Sequence, residues 1–410
     1  MTVLHAGWGG ISNPKFHAVL ARFRPIFADI ASGAVTREVA HELPFEQIAW
    51  LKAEKFGALR VPEDEGGYGL DLPELFSLLT ELSEADSNIT QALRGHFAFA
   101  EDVLNKPAGK YRTRWIERLV RGELAGNAWT EIGNAQIEGF STRISERDGK
   151  LWLNGEKYYT TGSLFADWLD VGAADQQARG VCVSVRRESP GLNIVDDWDG
   201  IGQTLTASGT STFTDVEVFP EDIVFDEERF QYATGLYQTV HLATLAGIGR
   251  ALAGDVARAV AARRRTYDHA SASRSSADPQ VLQIVGKVRS AAYAASAITI
   301  ASARALQRAF DARFANEEER VQINAETEIE TAQAQVIITD LILDASTRAF
   351  DSLGASATKK PAALDRHWRN ARTLSSHNPR IYKERIVGDY AVNGTLPPPQ
   401  WRIGVPAATS

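Results

Sequence analysis

Three long, alanine-rich segments in the second half of the chain constrain its fold most strongly. They occupy about 233–266, 279–312 and 325–352. Helices of this length bury their apolar faces against one another, so the segments predict a helical bundle. The final stretch, 391–410, is rich in proline and glycine and is predicted to be a loop.

Local signals predict the ends of the third segment. Asn324 is the predicted N-cap, since Glu326 and Glu328 then place carboxylates in the first turn, where the helix dipole favours negative charge. Gly354 stands where a left-handed residue would end the helix.

The first part of the chain also has a helical pattern. From Pro14 to about Arg121, apolar residues recur at spacings of three and four. Two such sets are Leu20, Phe23, Phe27 and Ile30, and Leu75, Leu78, Leu79 and Leu82. A proline and three glycines within 61–69 interrupt the pattern and predict a tight connecting loop.

Between about Gly122 and Asp226 the pattern changes to short alternating runs separated by turn residues. Asp148-Gly149 has the composition of a hairpin turn, because glycine tolerates the positive φ that such turns require. A β domain is therefore expected between two helical regions. The predicted domains are a helical domain at 1–121, a β domain at 122–230 and a helical bundle at 231–410.

Composition and charge exclude several classes of protein. The chain has 410 residues, 44% of them hydrophobic, which is enough for two or three domains with buried cores. A net charge of -8 and a pI near 5.6 provide no basic face for nucleic acid or an anionic membrane. The single cysteine, Cys182, excludes an intrachain disulfide, and the first residues lack the pattern of a secretion signal. We therefore expect a cytoplasmic protein without a transmembrane helix.

Two motifs carry a resemblance to the acyl-CoA dehydrogenase family. Gly126–Glu131 reads GNAWTE, like the Thr-Glu turn that contacts flavin in that family, and Leu153–Lys157 matches its LNGxK strand and turn. The resemblance covers nearly the whole chain. It implies a mostly α protein with an N-terminal α domain, a middle β-barrel-like domain and a C-terminal four-helix bundle.

Three further segments resemble the flavin-dependent monooxygenase branch that includes dibenzothiophene monooxygenase. They are Asp196–Gly202, Arg366–Arg372 and Ser376–Pro379. A dehydrogenase needs a carboxylate base, commonly in a segment like Tyr-Glu-Gly-Thr. Here Glu384 lies between two cations and no Gly-Thr follows directly, which disfavours dehydrogenation. An Asp or Glu on the preceding helices stays open as an alternative base.

The resemblance implies a two-component monooxygenase. A separate NAD(P)H-dependent reductase would supply reduced FMN, with FAD as the alternative cofactor, and this chain would react it with O2. The resulting C4a-hydroperoxide would pass one oxygen atom to nitrogen, sulfur or aromatic carbon of a small substrate. Family members generally form homotetramers through the bundle. Two alternatives stay open: an acyl-CoA dehydrogenase or related flavin oxidase, and a non-catalytic protein that keeps the fold for binding or assembly.

The resemblance also implies where the flavin ring would lie. Asn127, Thr130, Tyr159 and Thr161 would adjoin the isoalloxazine, with the Thr161 hydroxyl near N5 and C4a. Trp198 would pack beside the ring and exclude water. The structural alternatives are a strand-end hydroxyl for Thr161 and a core position for Trp198.

Two histidines are candidate catalytic residues by the same resemblance. His377 would lie across the ring edge and stabilise the peroxy oxygen or supply its proton, since imidazole titrates near physiological pH. His96 matches a histidine that family members present to the substrate chamber, and it is the candidate substrate-side acid or base. Satisfied structural histidines are the alternative for both.

The phosphate end of the flavin would lie elsewhere. Arg265 is the best match for the phosphate ligand, with Arg274 second, because guanidinium grips phosphate in a bidentate manner. Gly354-Ala355 would contribute a small-residue turn from a neighbouring subunit. An arginine on a solvated helix face is the alternative for Arg265.

Other motifs predict structure and not chemistry. Gly247–Gly254 loosely resembles a dinucleotide fingerprint, but it lies inside a helical stretch, so we predict close helix packing and no nicotinamide site. Cys182 alternates with valines and is predicted to be a buried thiol. The eight histidines lack HxxxH and HExxH spacing, so no metal site is expected.

Overall fold

Helices, strands and again helices follow one another in the computed structural model, which describes residues 7–11, 13–131 and 139–398. The first region contains α1 (Pro14–Ala40), α2 (Phe45–Ala53), α3 (Leu72–Ala85), α4 (Ser87–Ala92), α5 (Arg94–Asn105) and α6 (Lys110–Val120). The strands are β1 (Ala125–Ala128), β2 (Arg143–Arg147), β3 (Lys150–Lys157), β4 (Trp168–Ala174), β5 (Gly180–Arg186), β6 (Leu192–Val195), β7 (Thr210–Val218) and β8 (Ile223–Phe225). The last region contains α7 (Ala233–Ala262), α8 (Pro279–Asp311), α9 (Glu317–Arg348), α10 (Arg366–His377) and α11 (Arg380–Asn393).

The N-terminal helices form where their caps and apolar spacing predict them. Asn13 caps α1 by accepting a hydrogen bond from the backbone of Lys15, and Asp71 and Glu74 form a capping box at the start of α3. Both predicted apolar sets on α1 and α3 are buried in one core. Residues 61–69 connect α2 to α3 through a short 3-10 turn, as the proline and glycines predicted.

The strands form one twisted sheet in the order β6-β7-β3-β2-β4-β5-β8, with β1 paired in parallel to β4. The β2–β3 hairpin turns at Asp148 and Gly149, whose φ angles are 54° and 73°, so the predicted hairpin is confirmed. Cys182 lies buried in β5, and burial raises the pKa of its thiol. The sheet places the ends of β1 and β3 beside the N-terminal helices.

The long bundle helices are confirmed, but both predicted ends of the third one were wrong. Helix α9 begins after Asn316, whose side chain accepts from the backbone of Glu319, so Asn324 lies inside the helix. Its amide donates instead to Gln231 and to the carbonyl of Arg320. The helix ends at Arg348 in a 3-10 turn, and Gly354 has the expected positive φ, 76°, only after that turn.

The glycines of 247–254 pack helices closely, as predicted. A Cβ atom on Gly247 would lie 2.4 Å from the Cβ atom of Ser83 on α3, and one on Gly249 would lie 2.6 Å from Ile342 on α9. Helix α7 can therefore contact both neighbours at short range. Among the helices of the described residues, none has both the length and the apolar character needed to cross a bilayer.

We predict opposite effects for two alanine substitutions in the bundle. Gly247→Ala forces α7 away from α3 and should lower the free energy of unfolding by about 1–3 kcal/mol. Gly286→Ala on α8 is the matched control, because nothing lies within 4 Å of the added Cβ atom. The control should raise that free energy by about 0.5–1 kcal/mol through helix propensity. Denaturant unfolding measures both, and equal effects would contradict the packing.

Candidate active site

An ion pair joins the two motifs at the start of the β domain. The Lys157 Nζ atom donates to the Glu131 carboxylate at 2.6 Å, and the lysine side chain is fully buried. Burial opposes the charge of Glu131, but hydrogen bonds from Lys157, Thr142 and Ser141 outweigh it and lower the carboxyl pKa to about 2. The backbone of Tyr158 donates to the Thr130 carbonyl at 2.8 Å. The Thr-Glu turn is thereby held against the end of β3.

Asn127 on β1 presents a buried acceptor that has no protein partner among the described residues. Its Oδ1 atom is closed off from water and accepts no hydrogen bond. Gly95 allows this placement, because a Cβ atom there would lie 2.6 Å from that oxygen. A buried amide oxygen without a partner costs free energy, and a bound ligand with a donor would satisfy it.

The Thr161 hydroxyl belongs to a network of three hydroxyl groups, which also includes Thr206 and Ser208. Thr206 donates to the Gln203 carbonyl at 2.8 Å, so Ser208 donates to Thr206 at 2.7 Å. Thr161 then donates to Ser208 at 2.7 Å and, more weakly, to its neighbouring Tyr159 carbonyl at 3.4 Å. Each hydroxyl has one hydrogen atom. In this direction of donation, Thr161 keeps its lone pairs available to accept from a ligand.

Tyr159 and Trp198 lie beside this hydroxyl network. Their rings meet edge to face with centroids 5.9 Å apart, and Tyr159 has 46% of its surface exposed. Tyr159, Gln203 and Ala207 have left-handed φ angles of 55°, 54° and 48°. Such strain in residues other than glycine concentrates where a fold builds a site. The predicted neighbours Tyr159, Thr161 and Trp198 are thus brought together.

Two of the segments that resembled the monooxygenase branch touch each other. Arg369 donates to the carbonyl of Ile201 at 3.0 Å, and the Asn370 side chain accepts from the backbone of Gln203 at 2.6 Å. Gly202 permits this contact, because a Cβ atom there would lie 2.3 Å from the Arg369 carbonyl oxygen. Helix α10 therefore holds the loop that carries Trp198.

His377 pairs with a second imidazole, His241 of α7. The two ring centroids are 4.6 Å apart. His241 is fully buried, and neither of its ring nitrogens has a hydrogen-bond partner among the described residues. His377 itself is accessible to water. We call these two residues the histidine pair.

The surroundings keep His377 neutral at physiological pH. Burial among protein atoms is the main cause, followed by the positive charge of Arg94, and together they lower its pKa to about 4. Its Nδ1 atom lies 3.0 Å from Oδ1 of Asn378, whose amide donates to Gln238. This network assigns the proton to Nδ1 and leaves Nε2 as an acceptor. The ring is also accessible to water, so a ligand can reach it.

The junction of α4 and α5 connects the two halves of the site. Gly162 packs so closely on the carbonyl of Ala92 that an added Cβ atom would lie 1.9 Å from its oxygen. Arg94 reaches the other half, where its Nε atom donates to the Tyr237 carbonyl at 3.2 Å. Tyr237 and His241 are one turn apart on α7. Thr161 and Asn127 thus adjoin the junction from the sheet, and the histidine pair adjoins it from the bundle.

The structure gives His96 structural contacts in place of the predicted acid–base role. Its Nε2 atom lies 2.9 Å from the Gly57 carbonyl oxygen, and its Nδ1 atom accepts from the backbone of Ala125 at 3.1 Å. Both ring nitrogens are therefore used by backbone groups, and the ring is buried. Burial lowers the pKa of His96 to about 4. We leave His96 out of the candidate site.

The predicted phosphate-end residues form a separate group at the end of α7. Arg263 donates to the carbonyl of Leu353, and the carbonyl of Arg265 accepts from Arg263 at 3.1 Å. Arg265, Arg274 and Ala355 are exposed, and Gly354 adjoins Tyr267. Arg263 follows Tyr237 by 26 residues, which is about 39 Å along a helix. One chain therefore brings these residues together but keeps them far from its own histidine pair.

Sequence reasoning missed Arg94 and His241. A signal for His241 was present, since it is the one histidine of α7, stands among threonine, apolar and small residues at 239–249, and lies four residues after Tyr237. Arg94 lies two residues before the predicted His96 in the segment Arg94–Phe97, but only the histidine was taken as a candidate. No cluster of metal-ligating residues occurs within 7–11, 13–131 and 139–398.

Comparisons with known proteins agree with this architecture. The family model for the C-terminal domain of acyl-CoA dehydrogenases matches residues 239–379. A dibenzothiophene monooxygenase of Mycolicibacterium goodii is 28% identical over 391 residues, covering 89% of this chain and 91% of that protein. A probable FMNH2-dependent monooxygenase, SfnC of Pseudomonas putida, is 26% identical and covers 93% of this chain and 96% of its own length.

This chain is a homologue of the flavin-dependent monooxygenases with the acyl-CoA dehydrogenase fold. The fold is shared with FMN-bound TdsC from Paenibacillus sp. A11-2, with a TM-score of 0.85 at 24% identity over 95% of this chain and 99% of that one. The predicted resemblance and the fold class are confirmed, and the chain is an oxidoreductase. The roles of its individual residues stay proposals.

We predict that His377 titrates far below an ordinary imidazole, near pH 4. Arg94→Gln should raise the pKa of His377, because it removes a positive charge that disfavours the imidazolium. Tyr237→Phe is the matched control, since it leaves that charge in place, and it should not change the pKa. NMR titration of the imidazole proton, assigned with His377→Asn, measures the effect. An unchanged pKa in Arg94→Gln would contradict the proximity of the two groups.

His96→Leu should lower the free energy of unfolding by about 1–3 kcal/mol at pH 7, because the Gly57 carbonyl and Ala125 amide lose their partners. In the parent protein, the unfolded chain binds a proton at His96 below about pH 6.5, whereas the folded chain does so only near pH 4. Stability should therefore fall as pH falls between these values, and the variant should lose this component. Denaturant unfolding at several pH values measures the loss of stability and its pH dependence. The exposed His17→Leu variant is the control. Equal stabilities of the two variants would refute the structural role of His96.

Proposed function

We propose that this chain is the oxygenase component of a two-component monooxygenase that uses reduced FMN and O2. A separate NAD(P)H-dependent reductase supplies the FMN, and one oxygen atom passes to a small organic substrate. The relatives support this proposal, because SfnC is described as FMNH2-dependent and the TdsC structure contains FMN. When bound, the reduced flavin supplies the activation of O2.

The polar atoms of the site fit a reduced isoalloxazine. The unpartnered Oδ1 atom of Asn127 suits a ring N–H donor. The lone pairs of Thr161 suit the N5–H group that flavin carries only when reduced. Tyr159 and Trp198 then form an aromatic wall beside the ring that limits access of water.

His377 is proposed to act through its unprotonated Nε2 atom. Its low pKa means that it stays unprotonated at neutral pH, so it accepts a hydrogen bond and does not act as a proton-donating imidazolium. Asn378 holds the ring through Nδ1 and so keeps Nε2 available. The ring of His241 packs against the ring of His377.

The observation that carries the proposal is the absence of a carboxylate beside the histidine pair. Within the part of the chain that the structure describes, no Asp or Glu contributes to the pKa shifts of Arg94, His241 or His377. Glu384, the candidate from the dehydrogenase motif, is exposed on α11. Removal of an α-proton from an acyl thioester needs such a base. Oxygen transfer can instead use neutral polar groups, which this chain provides in Asn127, Thr161 and His377.

A homotetramer is part of the proposal. Arg263, which joins the group that contains Arg265, Arg274 and Gly354-Ala355, follows His241 of the histidine pair by 22 residues, about 33 Å along a helix, which exceeds the length of an FMN molecule. These residues can bind the phosphate of an FMN whose ring lies in a neighbouring chain. Packing of bundles from several chains would bring the two halves together.

Rapid mixing tests the function. Reduced FMN bound to the protein without oxygen, then mixed with O2, should give a transient absorbance that precedes the spectrum of oxidised FMN. His377→Ala and Thr161→Ala should shorten the lifetime of that transient about tenfold or more, because each removes a polar group beside the ring. His17→Ala and Thr347→Ala, at exposed positions, should leave the lifetime unchanged.

Two results would count against this function. If acyl-CoA reduced the oxidised flavin on the protein, the chain would be a dehydrogenase. If the protein bound neither oxidised nor reduced FMN, the fold would serve a non-catalytic role. A transient that survived unchanged in both site variants would remove His377 and Thr161 from the mechanism.

A further inference from the structure

Arg94 is a buried arginine that lacks a carboxylate partner among the described residues. It is 8% exposed and lies at the start of α5. Its Nε atom donates to the Tyr237 carbonyl at 3.2 Å, and its guanidinium carbon lies 4.4 Å from the centre of the Tyr237 ring. Its two terminal nitrogens donate to no described residue, and neither is closed off from water. The free end of the guanidinium therefore faces open space.

Other buried arginines of this chain are neutralised by acids. Arg37 pairs with Asp86 at 2.9 Å, Arg60 with Glu101 at 3.0 Å, and Arg229 with Asp170 at 3.0 Å. These pairs are needed because a buried charge without a partner costs several kcal/mol. Burial lowers the pKa of Arg94 to about 10, whereas the pKa values of Arg60 and Arg229 are raised. Arg94 thus departs from the rule that the rest of the fold follows.

The space that Arg94 faces adjoins the histidine pair. Tyr237 contacts Arg94 from α7, His241 lies one turn further along the same helix, and the ring of His377 on α10 packs against His241. Its positive charge lowers the pKa of both histidines, so all three groups lie within electrostatic range. Tyr237 is partly accessible and His377 is accessible, so both side chains, like the free end of the guanidinium, can contact a ligand that enters from solvent.

We propose that Arg94 binds an anionic group of the substrate, a carboxylate, sulfinate or sulfonate. The two terminal nitrogens present a fork that matches two oxygens of such a group, while Tyr237 fixes the Nε side. The anion completes the charge pair that the protein omits. The inference rests on the proposed function, because it places the substrate beside His377. It makes the substrate a small organic acid whose oxidised atom lies near its charged end.

Binding measurements with isosteric probes test this assignment. The anions benzoate and methanesulfonate are compared with their neutral counterparts benzamide and dimethyl sulfone, in the presence of oxidised FMN and in buffer without competing anions. The parent protein should bind at least one anion about tenfold or more tightly than its neutral counterpart, the strength of a charge-assisted bidentate contact. Calorimetry gives the dissociation constants. If neither anion is preferred, the proposal is wrong.

Variants locate the preference at Arg94. Arg94→Gln should abolish it and leave the affinity for the neutral probe within about twofold, while Arg94→Lys should retain part of it, because lysine keeps the charge but loses the fork. In the parent protein, saturating anion should also raise the pKa of His377, since it offsets the charge of Arg94. This second measurement needs no variant. An unchanged His377 pKa on anion binding would place the anion elsewhere and overturn the proposal.

The same experiments separate this proposal from the proposed function. The affinity of each protein for oxidised FMN is measured in parallel. If Arg94→Gln weakens FMN binding as much as anion binding, Arg94 serves the flavin and the substrate assignment fails. The oxygen transient is recorded without substrate, so its loss in the parent protein would refute the monooxygenase and leave the anion preference standing as a separate result.

Discussion

The site depends on a close backbone approach between the α4–α5 junction and the β domain. Gly162 lies against the carbonyl of Ala92, and Gly95 lies against Asn127, with no room for a side chain at either glycine. Gly126 packs in the same way on Ser163. A methyl group at Gly95 or Gly162 would separate helix from sheet, and one at Gly126 would displace the segment after β3, because packed interiors cannot absorb an added atom without a shift. The hydroxyl network, Asn127 and Arg94 all take their positions from these contacts.

Some buried polar groups of this protein are hydrogen-bonded within the fold, and others have no described partner and can bind a ligand. Glu131 and Lys157 satisfy each other, and both nitrogens of His96 are bonded to backbone. Asn127 Oδ1 and both nitrogens of His241 have no partner among the described residues. Folding tolerates such groups when a ligand completes them, since an unmet buried polar atom otherwise costs about 1–3 kcal/mol. Other buried polar atoms without a described partner, such as Trp8 Nε1 and Trp115 Nε1, lie elsewhere in the fold. Those of Asn127 and His241 adjoin the same α4–α5 junction as Thr161 and His377, which is the physical basis for placing the chemistry there.

Much of the fold and part of the site were predictable from local patterns. The hairpin at Asp148, the long bundle helices and the packing glycines near 247 follow from turn chemistry and periodicity. Asn324 was the wrong cap because Asn316 has the same chemistry and lies earlier, so the sequence contained two equivalent signals. His96 and His377 were both drawn from motifs, and a motif names a residue type but not whether its ring nitrogens are already bonded to the backbone.

By itself, the sequence determined the order of helices and strands, the family and the residue types of the site, because these depend on local spacing and on short motifs. Tertiary structure alone decided which polar groups remain without partners. His241 and His377 are 136 positions apart, and Arg94 lies far from both along the chain. Their proximity arises from the packing of α5, α7 and α10, and their pKa values arise from burial at that contact. Burial and distance are properties of the packed chain, so no local pattern encodes them.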